Sequence, residues 1–229
     1  MVELSIVIGL LDRPEAFYRL FDSIKAYTGV TWELIISDAS TNAPIRKDIL
    51  SGYNVTIIEE KPRIGHCRGF NRAFKAARGR YVVWLNDDAE VTPNWAAEAI
   101  SFMDRNPWVG MGALYYCINY EPYYINEYWG MPYANFGIIN REFGNSLDWF
   151  DECVEMYGAD NSLSFKVYLA GKVVRGIPTS RIIHKPFMDD HRLRNEETQP
   201  RDCRILGNKY QHLCSQMNQI NNKFPKVVI

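Results

Sequence analysis

Tyr81-Val82-Val83-Trp84-Leu85-Asn86-Asp87-Asp88 is the stretch on which the reading of this chain turns, an apolar strand running straight into an asparagine and two adjacent acids. Neighbouring carboxylates at the exposed end of a strand repel each other unless something positive sits beside them. Mg²⁺ and Mn²⁺ are hard cations that take oxygen ligands, commonly one or two carboxylates together with a substrate's phosphates. In isolation the same residues read as a solvated turn ahead of Pro93.

Strand and helix patterns alternate on either side of this stretch. Leu4–Leu10 is a short apolar strand, and Asp12 and Pro14 open a helix repeating Phe17, Leu20, Phe21 and Ile24 at i, i+3, i+4, i+7. Trp32–Ser37 and Val55–Glu59 are two more strands. Gly65 leads into a helix with Cys67, Phe70, Phe74 and Ala77 along one face, and Thr92 and Pro93 start another. Strands separated by helices of this length pair in parallel through crossovers, and such sheets bind ligands beyond the carboxyl ends of their strands. The polar residues stand at those ends. Asp38 closes the second strand, where a carboxylate can accept a hydrogen bond from the ring N–H of a base; it is also a common turn former. In Gly65-His66-Cys67-Arg68-Gly69-Phe70-Asn71, glycine permits close backbone approach and Arg68 has the guanidinium to meet a phosphate, although a plain helix entry looks the same.

Composition narrows the function classes. The chain has 229 residues, 47% of them hydrophobic, enough for one sizeable core. A formal net charge of −1 gives no global attraction to nucleic acid or to acidic membranes. The five cysteines are odd in number, widely spaced and without a Cys-x-x-Cys pair, which argues against a disulfide framework or zinc knuckle and for a reducing compartment. The chain begins directly on strand-like alternation, and no apolar run approaches the ~20 residues of a spanning helix. A cytoplasmic protein, soluble or peripheral at a membrane, is expected.

The second half is less regular. Tyr115–Tyr133 is dense in aromatics, suited mainly to core packing and in part to stacking on the apolar face of a ligand. A helix is expected over Asp160–Ala170, then strands near Val173–Ile177 and Arg181–His184. Lys185–Pro200 is charged and aperiodic and reads as a loop, either solvated or a lid placing Lys185, Arg192 or Arg194 on phosphates. The tail, Arg201–Asn221, puts Leu206, Tyr210, Leu213, Met217 and Ile220 on one helical stripe.

In this order, the segments closely resemble the inverting family 2 glycosyltransferases of GT-A fold. The resemblance rests on Gly9-Leu10-Leu11-Asp12-Arg13-Pro14, Ser37-Asp38-Ala39-Ser40, Gly65 to Asn71, Ala77-Arg78-Gly79-Arg80-Tyr81 and Leu85-Asn86-Asp87-Asp88-Ala89-Glu90-Val91. It continues through Phe136-Gly137, Trp149-Phe150-Asp151-Glu152 and Tyr157-Gly158-Ala159-Asp160, covering roughly residues 3–185. It implies an α/β fold with a Rossmann-like, mostly parallel twisted sheet flanked by helices and a smaller mixed acceptor-side part. Residues 1–110 would form the nucleotide-sugar-binding half, 111–185 the acceptor and catalytic half, and 186–229 a lid-like loop and C-terminal helix.

The resemblance implies roles as well. Donor binding falls to Gly9, Leu10, Leu11, Arg13, Asp38, Gly65, Arg68, Asn71, Asn86, Asp87 and Gly137, with Asp38 on the base and Asp87 near the ribose or diphosphate. Asp88 and His184 would hold Mn²⁺ or Mg²⁺; His191 is a second candidate, while His66 and His212 read as structural. Asp160 would be the general base, with Asp151 as the runner-up and an N-cap as its plainer alternative. The implied partners are a nucleoside-diphosphate sugar, UDP favoured, and a carbohydrate or glycoconjugate acceptor. Ser37 and Ala159 depart from the family's acids at their positions. Those departures keep open a non-catalytic nucleotide-sugar-binding module; a sugar-phosphate nucleotidyltransferase is the other alternative.

Overall fold

The structure, a computed structural model, describes residues 2–120 and 122–216, without the side chains of residues 191, 194, 195, 214 and 215. Its first half is built from β1 (Leu4–Leu10), α1 (Pro14–Tyr27), β2 (Trp32–Asp38), β3 (Val55–Glu59), α2 (His66–Ala76), β4 (Tyr81–Asn86), β5 (Ala89–Val91) and α3 (Trp95–Arg105). The second half adds β6 (Val109–Ile118), β7 (Asn126–Tyr128), β8 (Met131–Tyr133), β9 (Gly137–Asn140), α4 (Arg141–Ser146), α5 (Ala159–Leu169), β10 (Val173–His184), α6 (Asp190–Glu196) and α7 (Gln199–Tyr210).

Eight strands form one sheet in the order β3-β2-β1-β4-β9-β6-β10-β5. β3, β2, β1 and β4 run parallel, as the alternation of apolar strands and amphipathic helices requires. β9 lies antiparallel between β4 and β6, so the mixed part of the sheet grows from the same core. The expected stripe of α1 is buried as Phe17, Leu20, Phe21 and Ile24. At about 1.5–3 kcal/mol for each fully buried large side chain, such stripes hold the helices on the sheet.

Four expectations change. Beyond Asp88 the chain forms β5 before α3, and β5 pairs antiparallel with the end of β10. The strands expected at 173–177 and 181–184 are one strand, β10, with a register shift between Ile177 and Arg181. The expected loop at 185–200 contains α6 and the start of α7; Asp189 Oδ1 accepts the Arg192 N–H at 2.9 Å, and Arg192 pairs with Glu196 one turn on. The tail helix is shorter than expected: α7 passes into a 3₁₀ turn at Gln211–Gln216, with Leu206, Tyr210 and Leu213 buried, while Met217 and Ile220 lie outside the described residues.

Candidate active site

Parallel pairing brings three strand ends to one edge. Leu10 stands level with Asp38, and Gly9 with Asn86. A pocket opens there, lined by Gly9, Leu10, Leu11 and Arg13 from the end of β1, by Ser37 and Ala39 on either side of Asp38, and by Asn86, Asp87 and Asp88. Its far wall is Glu60, Arg63, Gly65, His66 and Phe70, and Met156 and Arg192 close it. A Cβ on Gly9 would overlap the Phe70 ring, so the glycine lets α2 pack against the pocket floor. Asp12 turns away: its Oδ1 accepts the N–H groups of Thr41, Asn42 and Ala43, which ties the turn after β1 to the turn after β2.

Asp87 and Asp88 are both buried. Burial, reinforced by the Asp88 charge, pushes Asp87 up to about 7 against the pull of Arg13. Burial acts upward on Asp88 too, but His184 and Arg13 outweigh it and hold its carboxyl below the usual range. Arg13 Nη1 lies 3.5 Å from Asp87 Oδ1 and 3.9 Å from Asp88 Oδ2, while its Nε and Nη2 donate to both oxygens of Asp189 at 2.7 Å. The segment after β10 thus reaches across the pocket mouth. Lys185, however, pairs with Glu90 at 2.8 Å, and the side chain of Arg194 lies outside the described residues.

The pairing of β5 with β10 sets His184 level with Ala89, beside Asp88. His184 Nε2 is 3.1 Å from Asp88 Oδ1, close enough for an ion pair, yet both atoms are buried and neither has a hydrogen-bond partner. Two converging, unsatisfied ligand atoms of oxygen and nitrogen type fit a divalent cation, whose other positions a substrate's oxygens and water would fill. Among the described residues no group of three or more His, Cys, Asp or Glu side chains is arranged around one point, so the protein's share of such a site is small. His191, the other histidine considered, has its side chain outside the described residues.

Asp160 is the second residue of α5, not its N-cap; that position is Gly158, at φ 87°. Its Oδ2 accepts from Asn135 Nδ2 at 3.0 Å and its Oδ1 from the Asn161 N–H at 2.9 Å. Burial pushes its carboxyl up to about 6, against the two backbone N–H groups that favour the ionised form. A carboxyl of that strength is ionised at neutral pH and basic enough to take a proton. Asp151 is held down to about 2: burial pushes upward, but Lys209 and Tyr210 bind its Oδ2 and prevail. That engagement makes it a poor base.

Four of the expected donor-binding residues, Asp38, Arg68, Asn71 and Gly137, do not line the pocket. Arg68 is exposed, with its Nε 3.4 Å from Glu152 Oε2. Asn71 is buried and bonds to both the carbonyl and the N–H of Phe150 and to Glu152, a strap between α2 and the segment after α4. Gly137 faces the Trp84 ring, which a Cβ would overlap. Asp38 is at the edge of the pocket, its Oδ1 taken by the Ser40 N–H at 2.9 Å. Conversely, Glu60, Arg63, His66 and Met156 line the pocket without having been singled out for it. Glu60 is buried and binds the Ser37 hydroxyl, so the serine standing where an acid was expected was the available signal. Burial, helped by Arg63, pushes His66 down to about 4 and keeps it neutral.

The aromatic stretch divides as well. Tyr116 is buried, and Tyr128 and Trp129 pack on Phe165, while Tyr120 is exposed. No helix among the described residues is long and apolar enough to cross a membrane.

Known proteins resemble this chain in sequence and in fold. Residues 5–160 match the family model described as "Glycosyl transferase family 2". The Escherichia coli (strain K12) protein WcaA, whose name assigns it to colanic acid biosynthesis as a glycosyl transferase, is 25% identical over 193 residues, 76% of this chain and 68% of WcaA. S. aureus TarS 1-349 has the same fold at a TM-score of 0.67 and 12% identity, over 80% of this chain and 60% of that one. GalNAc-T7, solved with UDP, GalNAc and Mn²⁺, superposes at 0.70 and 16% identity, over 82% of this chain and 44% of its own. The chain therefore spans less than two thirds of either solved structure. Its sheet and flanking helices are those of the GT-A fold, and the chain belongs to glycosyl transferase family 2.

Proposed function

We propose that this glycosyltransferase moves a sugar from a nucleoside diphosphate, UDP favoured, to an acceptor hydroxyl with inversion at the anomeric carbon. The observation that carries the reading is the meeting of Asp88 and His184, two buried ligand atoms without hydrogen-bond partners, at the edge of a pocket floored by parallel strand ends. GalNAc-T7, with UDP and Mn²⁺ bound, supports the donor and the metal by fold likeness. A divalent cation, Mn²⁺ or Mg²⁺, would be held by Asp88 and His184 and would stabilise negative charge on the departing diphosphate.

The chain's own residues do the remainder. Gly9 and Gly65 let the backbone approach the donor, and Ser37, Ala39 and Glu60 form the wall beside Asp38 where a base fits. Arg13 and Arg192 supply positive charge over the diphosphate, Arg13 giving up part of its hold on Asp189 to do so. The anomeric carbon–oxygen bond to the diphosphate breaks as the acceptor oxygen attacks from the opposite face. Asp160 takes the proton that the acceptor hydroxyl loses. Thermal denaturation with UDP and Mn²⁺ tests the donor half: at a ligand concentration a hundred times Kd, binding adds about 2.7 kcal/mol of stability. Asp88→Ala is expected to lose that increment. Should the wild-type chain gain no stability from any nucleoside diphosphate with metal, the donor reading fails, since binding anywhere on the folded chain would stabilise it.

A further inference from the structure

One fully buried acid is unused by this chemistry. Asp202, in the first turn of α7, is 0% exposed. Its Oδ2 accepts the N–H groups of Glu155, Met156 and Tyr157 at 3.2, 3.0 and 3.1 Å, and its Oδ1 lies 3.0 Å from Arg201 Nη2. Three consecutive amides converging on one oxygen form an anion-binding nest, here filled by a side chain of the same protein. Residues 151–158 belong to no helix or strand, so these amides have no ladder to satisfy them.

The same helix grips both ends of that turn. Tyr210 Oη donates to Asp151 Oδ2 at 2.8 Å, and Lys209 bonds to the same oxygen. At the other end Leu206 lies so close that a Cβ on Gly158 would overlap its Cδ1. The turn held in this way carries Met156 into the donor pocket and delivers Asp160 at the start of α5. We propose that Asp202 is a positioning residue for transfer: by organising the 155–157 amides it fixes the base-bearing turn relative to the donor pocket. The inference rests on the reading of Asp160 as the base.

The test uses the full chain with Asp202→Ala and Asp202→Asn, read by UDP affinity with Mn²⁺, by kcat and KM for transfer, and by hydrogen exchange of individual amides. A displacement of the order of 1 Å can cost about 10²-fold in rate, so Asp202→Ala is expected to lose about that in kcat with little change in KM or UDP affinity. Asp202→Asn keeps an oxygen that can accept, and its kcat should fall between the two. The amides of residues 155–157 should exchange faster in both variants, those of β1 and β4 at wild-type rates. If Asp202→Ala does not fold, Asp202→Asn carries the test alone, through the same split of kcat from KM and the same local exchange. Wild-type kcat in either variant despite faster local exchange would overturn the proposal. So would a parallel loss of UDP affinity, kcat and exchange protection throughout the sheet, which marks a merely structural acid. A wild-type chain that binds UDP but transfers nothing, its 155–157 amides still freed by Asp202→Ala, would overturn the role in transfer by removing the base assignment, while leaving the brace in place.

Discussion

The two sides of the pocket are held by different means. On the side proposed for the donor, the main-chain ladders of β1, β2 and β4 set Gly9, Leu10, Asp38 and Asn86 at one edge, whatever their side chains do. On the side of Asp160, the proposed base, residues 151–158 have no ladder, and their path depends on Asn71, Asp202, Leu206, Lys209 and Tyr210. Side-chain changes on the donor side should therefore weaken binding while leaving the frame intact. On the base side they should cost rate while leaving the donor bound.

Asp160→Asn is the severest break. A positioned carboxylate contributes roughly 10²–10⁴-fold in rate, and kcat is expected to fall by that factor with UDP affinity kept. In the wild type, kcat should decline as pH drops through about 6, where the carboxyl protonates. Stability moves the other way. Between the ordinary 3.8 and the folded value near 6, the folded state binds more protons than the unfolded one, so raising the pH through that window destabilises the protein. The amide variant has no such proton to lose. It should melt above the wild type at pH 8, with the advantage gone at pH 4; an unchanged gap between the two pH values would mean that Asp160 titrates normally. Near-wild-type transfer in this variant would move the base elsewhere.

Gly158→Ala strikes the base side without touching a charge. The residue sits at φ 87°, unfavourable for alanine, and its new methyl would overlap Leu206. Overpacking costs about 1–3 kcal/mol and the positive φ of order 1 more. A lower urea midpoint and a lower kcat are expected, with UDP affinity retained. In the double variant with Leu206→Ala the combined loss should be smaller than the sum of the two single losses, because neighbouring sites couple. Strict additivity would show that the helix does not press on the turn.

How much of this was legible follows the same division. The parallel half could be read because apolar strands and the α1 stripe repeat with the periods of their elements, and the acids at 38, 87 and 88 stand at strand ends in the sequence itself. That His184 would meet Asp88 depended on β5, three residues long and too short to carry a period, though the resemblance pointed to both residues. The helix entry put Arg68 near a phosphate, and the resemblance put both Arg68 and Asn71 at the donor. Their side chains turn to Glu152 and Phe150, partners about eighty residues away that no local pattern announces. The loop at 185–200 hid α6 because its helix is stabilised by charge and capping rather than by an apolar stripe. Nothing in the spacing linked Asp202 to residues 155–157, since a side chain binding backbone N–H groups leaves no trace in residue type at the other end.

Gly9→Ala is the donor-side counterpart and should be milder in rate. Its methyl would overlap the Phe70 ring, which is itself buried, so α2 must shift at the pocket floor. A stability loss of about 1–3 kcal/mol is expected, together with a weaker UDP affinity and a raised KM, kcat changing least. A fall in kcat with KM unchanged would erase the distinction between the two sides.

The finest test is Tyr210→Phe, which removes one of the bonds that α7 makes to Asp151 and leaves Lys209 in place. The expected cost at pH 7 is about 1.5–3 kcal/mol, the net value of a hydrogen bond to an ionised group. Its pH dependence identifies the partner. Asp151 is buried, which alone would raise its pKa, yet Lys209 and Tyr210 hold it down to about 2. A depressed carboxyl contributes stability in full above its unfolded value of 3.8, and that contribution is lost as pH falls toward 2. Phenylalanine gives up part of the depression, so the gap between variant and wild type should narrow as pH drops from about 4 to about 2, read as the difference in urea midpoint. A gap that stays constant over that range would mean that the tyrosine hydroxyl does not stabilise the ionised carboxyl, and that α7 holds the turn before Asp160 by Asp202, Leu206 and Lys209.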